Sequence, residues 1–221
     1  MREAPSVKLI SLGDSRTGKS CLIKRFCEKR FVSKYMQTIG IDYGTTQVYA
    51  KKSDGKTQPL KLHIFDTGGH DCFKQIREEF YVDSQAVLMT FSLDNKQSFT
   101  NLKDYWMKEL ENNIDEHRRD NLIIVIVATK SDSASLEVKS DEARTWVESK
   151  AGWKYFETSS QSGQNVAECF DYRLGLRKFK SPFLAKIEFY SNINHLNSDK
   201  FSFQAYHSSQ KSVQPWPLFL E

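Results

Sequence analysis

The sequence predicts an α/β fold with a mainly parallel, six-stranded sheet, and three observations predict it. Short apolar runs alternate with helix-length amphipathic segments along most of the 221 residues, as they do in such folds. The runs 86–93 and 122–129 are nearly continuous in apolar residues, which is typical of strands that helices bury on both faces. A glycine-bracketed loop at 13–20 lies between a predicted strand and a predicted helix, where open parallel sheets bind ligands.

The first half of the chain supplies three of the strands. Residues 7–12 predict the first strand, and a helix is expected over 19–28, directly after the glycine-bracketed loop. Residues 43–50 are rich in β-branched and aromatic side chains, which favour strands, and 60–66 alternate apolar residues at every second position from 60 to 64. The turn 53–56 lies between these two strands, so we expect an antiparallel hairpin at one edge of the sheet.

The second half supplies the other three strands and two helices. The apolar runs 86–93 and 122–129 are predicted to be buried strands, and 153–159 is predicted to be the sixth. Helices are expected over 97–112 and 140–150, where the apolar residues follow a helical period. The sheet is therefore predicted to be mostly parallel, with one antiparallel edge strand.

Composition limits the kind of protein and its surroundings. The formal net charge of +4 is small and dispersed, so we expect no nucleic-acid partner. The first ten residues lack an apolar core, and no stretch approaches the ~20 apolar residues that a bilayer span needs. The cysteines have no paired spacing, which predicts reduced, mostly buried thiols at Cys21, Cys27, Cys72 and Cys169. We therefore expect a soluble monomer in the cytoplasm, the nucleus or both.

The strongest motif is the loop 13–20, which matches the pattern GxxxxGK[ST]. A loop of this kind at a helix N-terminus points successive backbone N–H groups at phosphate oxygens. The lysine adds its charge at the β- and γ-phosphates and the serine hydroxyl binds Mg²⁺. The predicted phosphate-binding set, which includes the residue after the motif, is Gly13, Asp14, Ser15, Arg16, Thr17, Gly18, Lys19, Ser20 and Cys21.

A second motif, Thr-Lys-Ser-Asp at 129–132, predicts which nucleotide base the site binds. It follows directly on a predicted buried strand. The Asp132 carboxylate can accept both the N1–H and the N2–H₂ of guanine, a pair of donors that adenine lacks. The stem of Lys130 offers a platform for the base plane. The segment 157–161 ends the sixth strand and is expected to place a backbone N–H near guanine O6, from Ser159, Ser160 or Gln161.

A third group of residues predicts the Mg²⁺ and γ-phosphate contacts. Asp66 ends a predicted strand and is placed to reach the metal through water. Gly69 supplies a backbone N–H that can meet a γ-phosphate. Thr38, in the polar loop after the first helix, is the candidate second Mg²⁺ ligand. The predicted metal set is therefore Ser20, Thr38 and Asp66.

These motifs together resemble those of the Ras superfamily. GDSRTGKS, TIGIDYG, KLHIFDTGGHDCF, TKSD and ETSSQ are similar in order and spacing to its Rab family in particular. The run CEKRFVSKYMQTIGIDYG, with His in place of the usual Gln at 70, looks most like the RJL group of Rab-like proteins, some of which carry a C-terminal J domain. The resemblance covers about residues 7–170.

The resemblance implies a P-loop G domain with six strands and five helices that binds GTP or GDP with Mg²⁺. It implies a switch I at 31–43 and a switch II at 66–81, through which effector proteins and exchange or activating proteins bind. Phe31 matches the aromatic residue that packs on the guanine, and Tyr35 the tyrosine that closes over the γ-phosphate. The implied catalytic set is His70, Gly69 and Lys19.

Three departures from the family pattern bear on chemistry. His70 stands where Gln normally orients the attacking water, so we expect slow hydrolysis; simple tolerance of a surface residue is the alternative. Arg16 stands at a position that commonly needs positive φ; it would loosen the loop, or contact phosphate or solvent. Thr129 replaces the usual Asn and keeps one hydroxyl, so we expect a weaker grip on the base with guanine selectivity retained.

The chain is expected to divide into an N-terminal extension (1–6), a G domain (7–178) and a divergent, poorly ordered tail (179–221). The tail is aromatic-rich and carries few charges. The last cysteine is Cys169, so we expect no prenylated cysteine and no stable membrane anchor. No His-Pro-Asp tripeptide occurs, so we expect no J domain.

The sequence thus predicts a guanine-nucleotide-binding switch with slow intrinsic GTP hydrolysis. The alternative is a non-cycling, GTP-bound binding module with negligible hydrolysis. A P-loop kinase or ATPase is disfavoured because the sequence shows no acceptor site or lid and because Asp132 argues against adenine.

Overall fold

The computed structural model describes residues 5–52, 57–171, 187–189 and 204–205. All six predicted strands are present, with bounds that differ from the predicted ones by at most a few residues. They are β1 (Ser6–Leu12), β2 (Ile41–Lys52), β3 (Thr57–Thr67), β4 (Ala86–Ser92), β5 (Ile123–Thr129) and β6 (Lys154–Glu157).

The six strands form one sheet in the order β6-β5-β4-β1-β3-β2. Every neighbouring pair is parallel except β2 and β3, which pair antiparallel with Ile41 opposite Thr67. The predicted hairpin is therefore confirmed, although its turn, 53–56, lies outside the described residues. The parallel order brings the carboxyl ends of β1, β3, β4, β5 and β6 to one edge, where ligands bind in such sheets.

Two short strands add to β2 beyond the predicted six. They are β7 (Ile187–Phe189) and β8 (Gln204–Ala205), and both pair antiparallel with β2. The rest of the predicted tail lies outside the described residues, so the predicted domain boundaries stay predictions.

The helices also follow the predicted pattern. They are α1 (Lys19–Glu28), α2 (Lys74–Glu78), α3 (Lys96–Asn101), α4 (Met107–Asn113), α5 (Glu116–Arg119), α6 (Ser140–Glu148) and α7 (Val166–Asp171). A π-helical segment, Leu102–Trp106, joins α3 to α4 into one helix over 96–113, where the sequence predicts 97–112. Counting that helix once and leaving out the single turn α5, five helices flank the sheet within the described residues.

The helices cover both faces of the sheet and bury two apolar clusters. Leu9 of β1 belongs to the cluster that includes Leu22 of α1, and Ile10 belongs to the one that includes Phe99 of α3. This division follows from the alternation of side chains along a strand. Every residue of β4 is buried, as the apolar run predicts, and the Phe170 ring of α7 stacks on Phe26 of α1 at 4.0 Å.

The expectation of mostly buried cysteines is wrong. Cys169 is buried, Cys21 and Cys27 are half-buried, and Cys72 is exposed, because Cys72 lies in the surface segment after β3 and not in a core strand. Among the described residues, no helix combines the length and the apolar character needed to cross a bilayer.

Candidate functional site

A cavity of about 620 Å³ opens at the carboxyl edge of the sheet. Its lining combines the glycine-bracketed loop, the loop after α1, the loops after β4 and β5, and the segment after β6. Most of the predicted binding residues line it: Ser15, Arg16, Gly18, Lys19, Ser20, Cys21, Phe31, Tyr35, Thr38, Gly69, Thr129, Lys130, Asp132, Ser160 and Gln161. Segments predicted from motifs far apart in sequence thus meet around one concave space.

The other predicted residues lie behind the cavity wall or beside it. Gly13 and Asp14 offer backbone carbonyls to Lys19, and Thr17 and Asp66 are buried beneath the loop and the strand ends. Ser159 is also buried, and its hydroxyl accepts a hydrogen bond from the Ser162 amide at 3.0 Å. His70 lies outside the lining.

Lys19 is held by its own loop. Its ammonium donates to the carbonyls of Gly13 at 2.7 Å and Asp14 at 2.8 Å, so it lies across the loop. Burial lowers the pKa of Lys19 to about 8, and the carboxylates of Asp66 and Asp14 only partly offset this. A buried cation of this kind is stabilised by any anion that enters the cavity.

Position 13 requires glycine because the loop backbone there lies very close to β4. The φ of Gly13 is 138°, and a β-carbon there would lie 2.2 Å from the Thr90 carbonyl oxygen on β4. Any other residue would therefore push the loop off the sheet. The first glycine of the motif fixes where the loop begins as well as how it bends.

The three predicted metal ligands lie together. The Ser20 and Thr38 hydroxyls are 2.9 Å apart, and the Thr38 hydroxyl lies 3.5 Å from Asp66 Oδ2. Ser11 donates to the other oxygen of Asp66 at 2.9 Å and so orients the carboxylate. Burial raises the pKa of Asp66, against the effects of Lys19 and of hydrogen bonds from Ser20 and Ser11. Hard oxygen ligands of this type fit Mg²⁺.

Gly69 lies directly against the glycine-bracketed loop. A β-carbon at this position would come within 2.4 Å of Gly13 O and 2.5 Å of Ser15 N. This packing leaves the Gly69 backbone on the cavity wall. The start of switch II therefore packs directly against the loop that would hold the phosphates.

The base side of the cavity is built on the end of β5. The Thr129 hydroxyl is buried and contacts the carbonyl oxygens of Thr17 and Phe91, so it links β5 to the glycine-bracketed loop. The Lys130 ammonium binds the Asp94 carboxylate at 3.1 Å, which fixes its stem. Asp132 completes this wall.

Arg16 adopts a left-handed conformation, with φ 64°, as the sequence suggested for this position. Its guanidinium lies over the Tyr35 ring, 5.2 Å from the centroid. The contact joins the loop to switch I across the cavity mouth. Cation–π contacts at exposed sites contribute about 0.5–1 kcal/mol.

The His70 imidazole is engaged by its own turn. Its Nδ1 accepts a hydrogen bond from the Cys72 amide at 3.3 Å and lies 3.1 Å from Cys72 Sγ. With Nδ1 as acceptor, the neutral ring carries its hydrogen on Nε2. His70 thus offers a donor at Nε2, whereas the Gln amide usual at this position offers both a donor and an acceptor.

Sequence reasoning missed a set of supporting residues. Asp94 could have been found from its position just after the carboxyl end of β4, where ligands bind in such sheets. Asn101 and Trp106 donate to the Asp14 carboxylate, each at 2.7 Å, and no motif marks them. Arg77 of switch II and Glu109 of α4 form a buried ion pair, although in the sequence each residue alone is typical of a solvated surface charge.

Sequence similarity to known proteins extends over the segments that line this cavity. The sequence profile of the Ras family matches residues 8–175. The chain is 45% identical over 166 residues to DnaJ homolog subfamily C member 27 of Homo sapiens, covering 74% of this chain and 58% of that protein. It is 44% identical over 171 residues to DnaJ homolog subfamily C member 27-A of Xenopus laevis, covering 76% and 60%. The chain therefore spans about three fifths of these curated relatives.

Proposed function

The chain belongs to the Ras family, and we propose that it is a guanine-nucleotide-binding switch that hydrolyses GTP slowly. One observation carries the proposal: the phosphate loop, the Asp132 loop and Thr38 of switch I line the same cavity. A cavity built in this way can contact the base and the phosphates of one nucleotide and can report whether a γ-phosphate is present.

The phosphates would be held by the backbone N–H groups of the loop and by Lys19. The two carbonyls that now accept from the Lys19 ammonium are weak partners, and phosphate oxygens would replace them as stronger acceptors. Gly69 lies on the same wall, and its amide would donate to the γ-phosphate.

The Mg²⁺ site would be formed by the hydroxyls of Ser20 and Thr38, with Asp66 as a partner through water. The fit rests on their mutual distances and on the hard oxygen donors they supply. Mg²⁺ held by these residues would neutralise charge on the phosphates. Thr38 would link this site to the conformation of switch I.

Slow hydrolysis follows from His70. The attacking water must be oriented by a group that accepts its hydrogen and directs its lone pair at the phosphorus. His70 Nδ1 already accepts from the Cys72 amide, so the ring offers only a donor on its other side. The same contact favours the second candidate, a non-cycling module that stays loaded with GTP.

The partners would be effector proteins and exchange or activating proteins. Switch I carries exposed apolar side chains, among them Met36 and Ile39, and switch II carries Ile76. A Cβ at Gly40 would lie 3.6 Å from Ile76 Cδ1, so the two switches form one surface. Exposed apolar groups of this kind mark protein interaction sites.

The experiment measures the affinity of an Asp132→Asn variant for two nucleotides, GDP and xanthosine diphosphate. Asn presents an NH₂ where Asp presents an acceptor, so GDP binding should weaken about 100-fold. Binding of xanthosine diphosphate, which has an acceptor in place of the guanine amino group, should improve. Asp120→Asn at the end of α5 is the control and should change neither affinity. Unchanged GDP affinity in Asp132→Asn would refute the assignment of the base site.

A further inference from the structure

Switch II is fastened to α4 by a buried ion pair. The side chains of Arg77 on α2 and Glu109 on α4 are 0% and 2% exposed. Arg77 Nε donates to Glu109 Oε1 at 2.9 Å and Nη2 donates to Oε2 at 2.8 Å, which is the bidentate geometry of a strong guanidinium–carboxylate pair. Burial opposes both charges, yet the pKa of Glu109 is lowered and that of Arg77 is raised, because the two groups bind each other.

The remaining donors of Arg77 hold the backbone of switch II. Nη1 donates to the carbonyl oxygens of Gly68 and His70, each at 2.8 Å. These two carbonyls flank Gly69, whose amide would meet the γ-phosphate. The guanidinium thus fixes the backbone just before and just after Gly69, a residue of switch II that lies against the phosphate loop.

Glu109 also holds the far end of switch II. The Tyr81 hydroxyl donates to Glu109 Oε1 at 2.8 Å, so the carboxylate binds Tyr81 directly and the start of the segment through Arg77. The Trp106 ring lies under the guanidinium at 4.7 Å, and its Nε1 donates to Asp14 of the phosphate loop at 2.7 Å. The helix over 96–113 therefore contacts both the loop and the switch through a connected set of side chains.

We propose that the Arg77–Glu109 pair is a positioning device that holds switch II in its γ-phosphate-facing conformation whether GTP or GDP is bound. The inference rests on the proposed function and names the regulation of that same site. In a switch ordered only by the γ-phosphate, loss of that group releases the segment. Here the ordering contacts are internal to the protein, so switch I carries the nucleotide-dependent change.

A thermodynamic consequence follows for the two nucleotides. A ligand binds more weakly when its competent conformation is only partly populated. The pair keeps switch II competent, so GTP binds with no cost of ordering it, while GDP does not contact Gly69. Loosening the pair should therefore weaken GTP binding and leave GDP binding unchanged.

The test measures the dissociation constants of GDP and a non-hydrolysable GTP analogue for the full chain with Mg²⁺. Arg77→Lys keeps the positive charge and loses the bidentate contact with Glu109. The GTP analogue should bind to this variant about tenfold more weakly than to the wild type, and the dissociation constant of GDP should change by less than about twofold. Glu109→Gln should act in the same direction. Val147→Ala, a buried truncation on α6, should lower stability without changing the ratio of the two constants.

Hydrogen exchange on the wild-type protein tests the inference without a variant. Peptides covering 66–81 should be protected to within about threefold in the GDP and GTP-analogue states. A tenfold loss of protection with GDP would overturn it, as would an unchanged ratio in folded Arg77→Lys and Glu109→Gln. If GDP binds and the ratio is unchanged, this inference alone fails; if no guanine nucleotide binds, the proposed function fails with it.

Discussion

At the scale of single residues, three side chains decide how the cavity would work. Under the proposed function, Lys19 would supply the charge for phosphates, Asp132 would distinguish the base, and His70 would set the rate of hydrolysis. The sequence motifs placed all three, and Lys19 and Asp132 line the cavity. The orientation of His70 could not be read from sequence, because it depends on a local hydrogen bond to the Cys72 amide.

Replacing His70 by Gln should accelerate hydrolysis. The Gln amide presents a donor and an acceptor together, so it can orient water where the imidazole does not. We expect single-turnover GTP hydrolysis about tenfold faster in His70→Gln than in the wild type. His117→Gln, an exposed substitution on α5, serves as control, and equal rates in His70→Gln and wild type would contradict the role given to His70.

The buried ammonium of Lys19 gives nucleotide binding a pH dependence. Its pKa is lowered to about 8, and bound phosphates favour the charged form, so binding takes up a proton as pH rises through 8. Neutral lysine is the weaker binder, hence affinity falls towards alkaline pH. We expect GDP to bind about fourfold more weakly at pH 8.5 than at pH 7. Calorimetry in buffers of different ionisation enthalpy should detect the proton uptake, and an absence of uptake would contradict it.

At the scale of elements, the strand ends and the loops that follow them were predictable, and the contacts between distant elements were not. The apolar run of β5 predicted a buried strand that ends at Thr129, directly before the proposed base loop. The Lys130–Asp94 and Arg77–Glu109 pairs join residues 36 and 32 positions apart, and no local pattern encodes such a pairing. Likewise, the helical spacing of apolar residues did not reveal the π-helical segment at Leu102–Trp106.

Thr129 shows how the base loop depends on one hydroxyl. Thr129→Val keeps the shape of the side chain but leaves the carbonyl oxygens of Thr17 and Phe91 without that donor. We expect the free energy of unfolding to fall by about 1–2 kcal/mol and GDP release to accelerate severalfold. Thr145→Val, the same change at an exposed position of α6, should alter neither. Wild-type release from Thr129→Val would mean that the hydroxyl does not support the site.

At the scale of the whole molecule, the mostly parallel α/β sheet and its antiparallel edge hairpin were predictable because hydrophobic patterning and connectivity leave few alternatives. The two short strands that pair with β2 were not predicted, since their composition gave no strand pattern. The cavity is lined by residues of α1, of strand ends and of the loops that follow the strands. A ligand that contacts all of these elements should therefore stabilise the folded state as a whole.

Removal of Mg²⁺ should be visible as a loss of thermal stability. With GDP present, chelation by EDTA should lower Tm by about 5–10 °C, if it weakens nucleotide binding about 100-fold. Ser20→Ala, which lacks one of the three proposed ligands, should start from a lower Tm and respond little to EDTA. A wild-type Tm that EDTA does not change would contradict the Ser20, Thr38 and Asp66 site.

The nucleotide content of the purified protein tests the central claim most directly. Protein isolated with Mg²⁺ and without added nucleotide can be denatured, and the released bases identified and counted by chromatography. We predict close to one guanine nucleotide per chain, because tight binders retain ligand through purification. Bound GDP indicates a cycling switch and bound GTP the non-cycling module. Recovery of adenine nucleotide, or of no nucleotide from folded protein, would contradict the account.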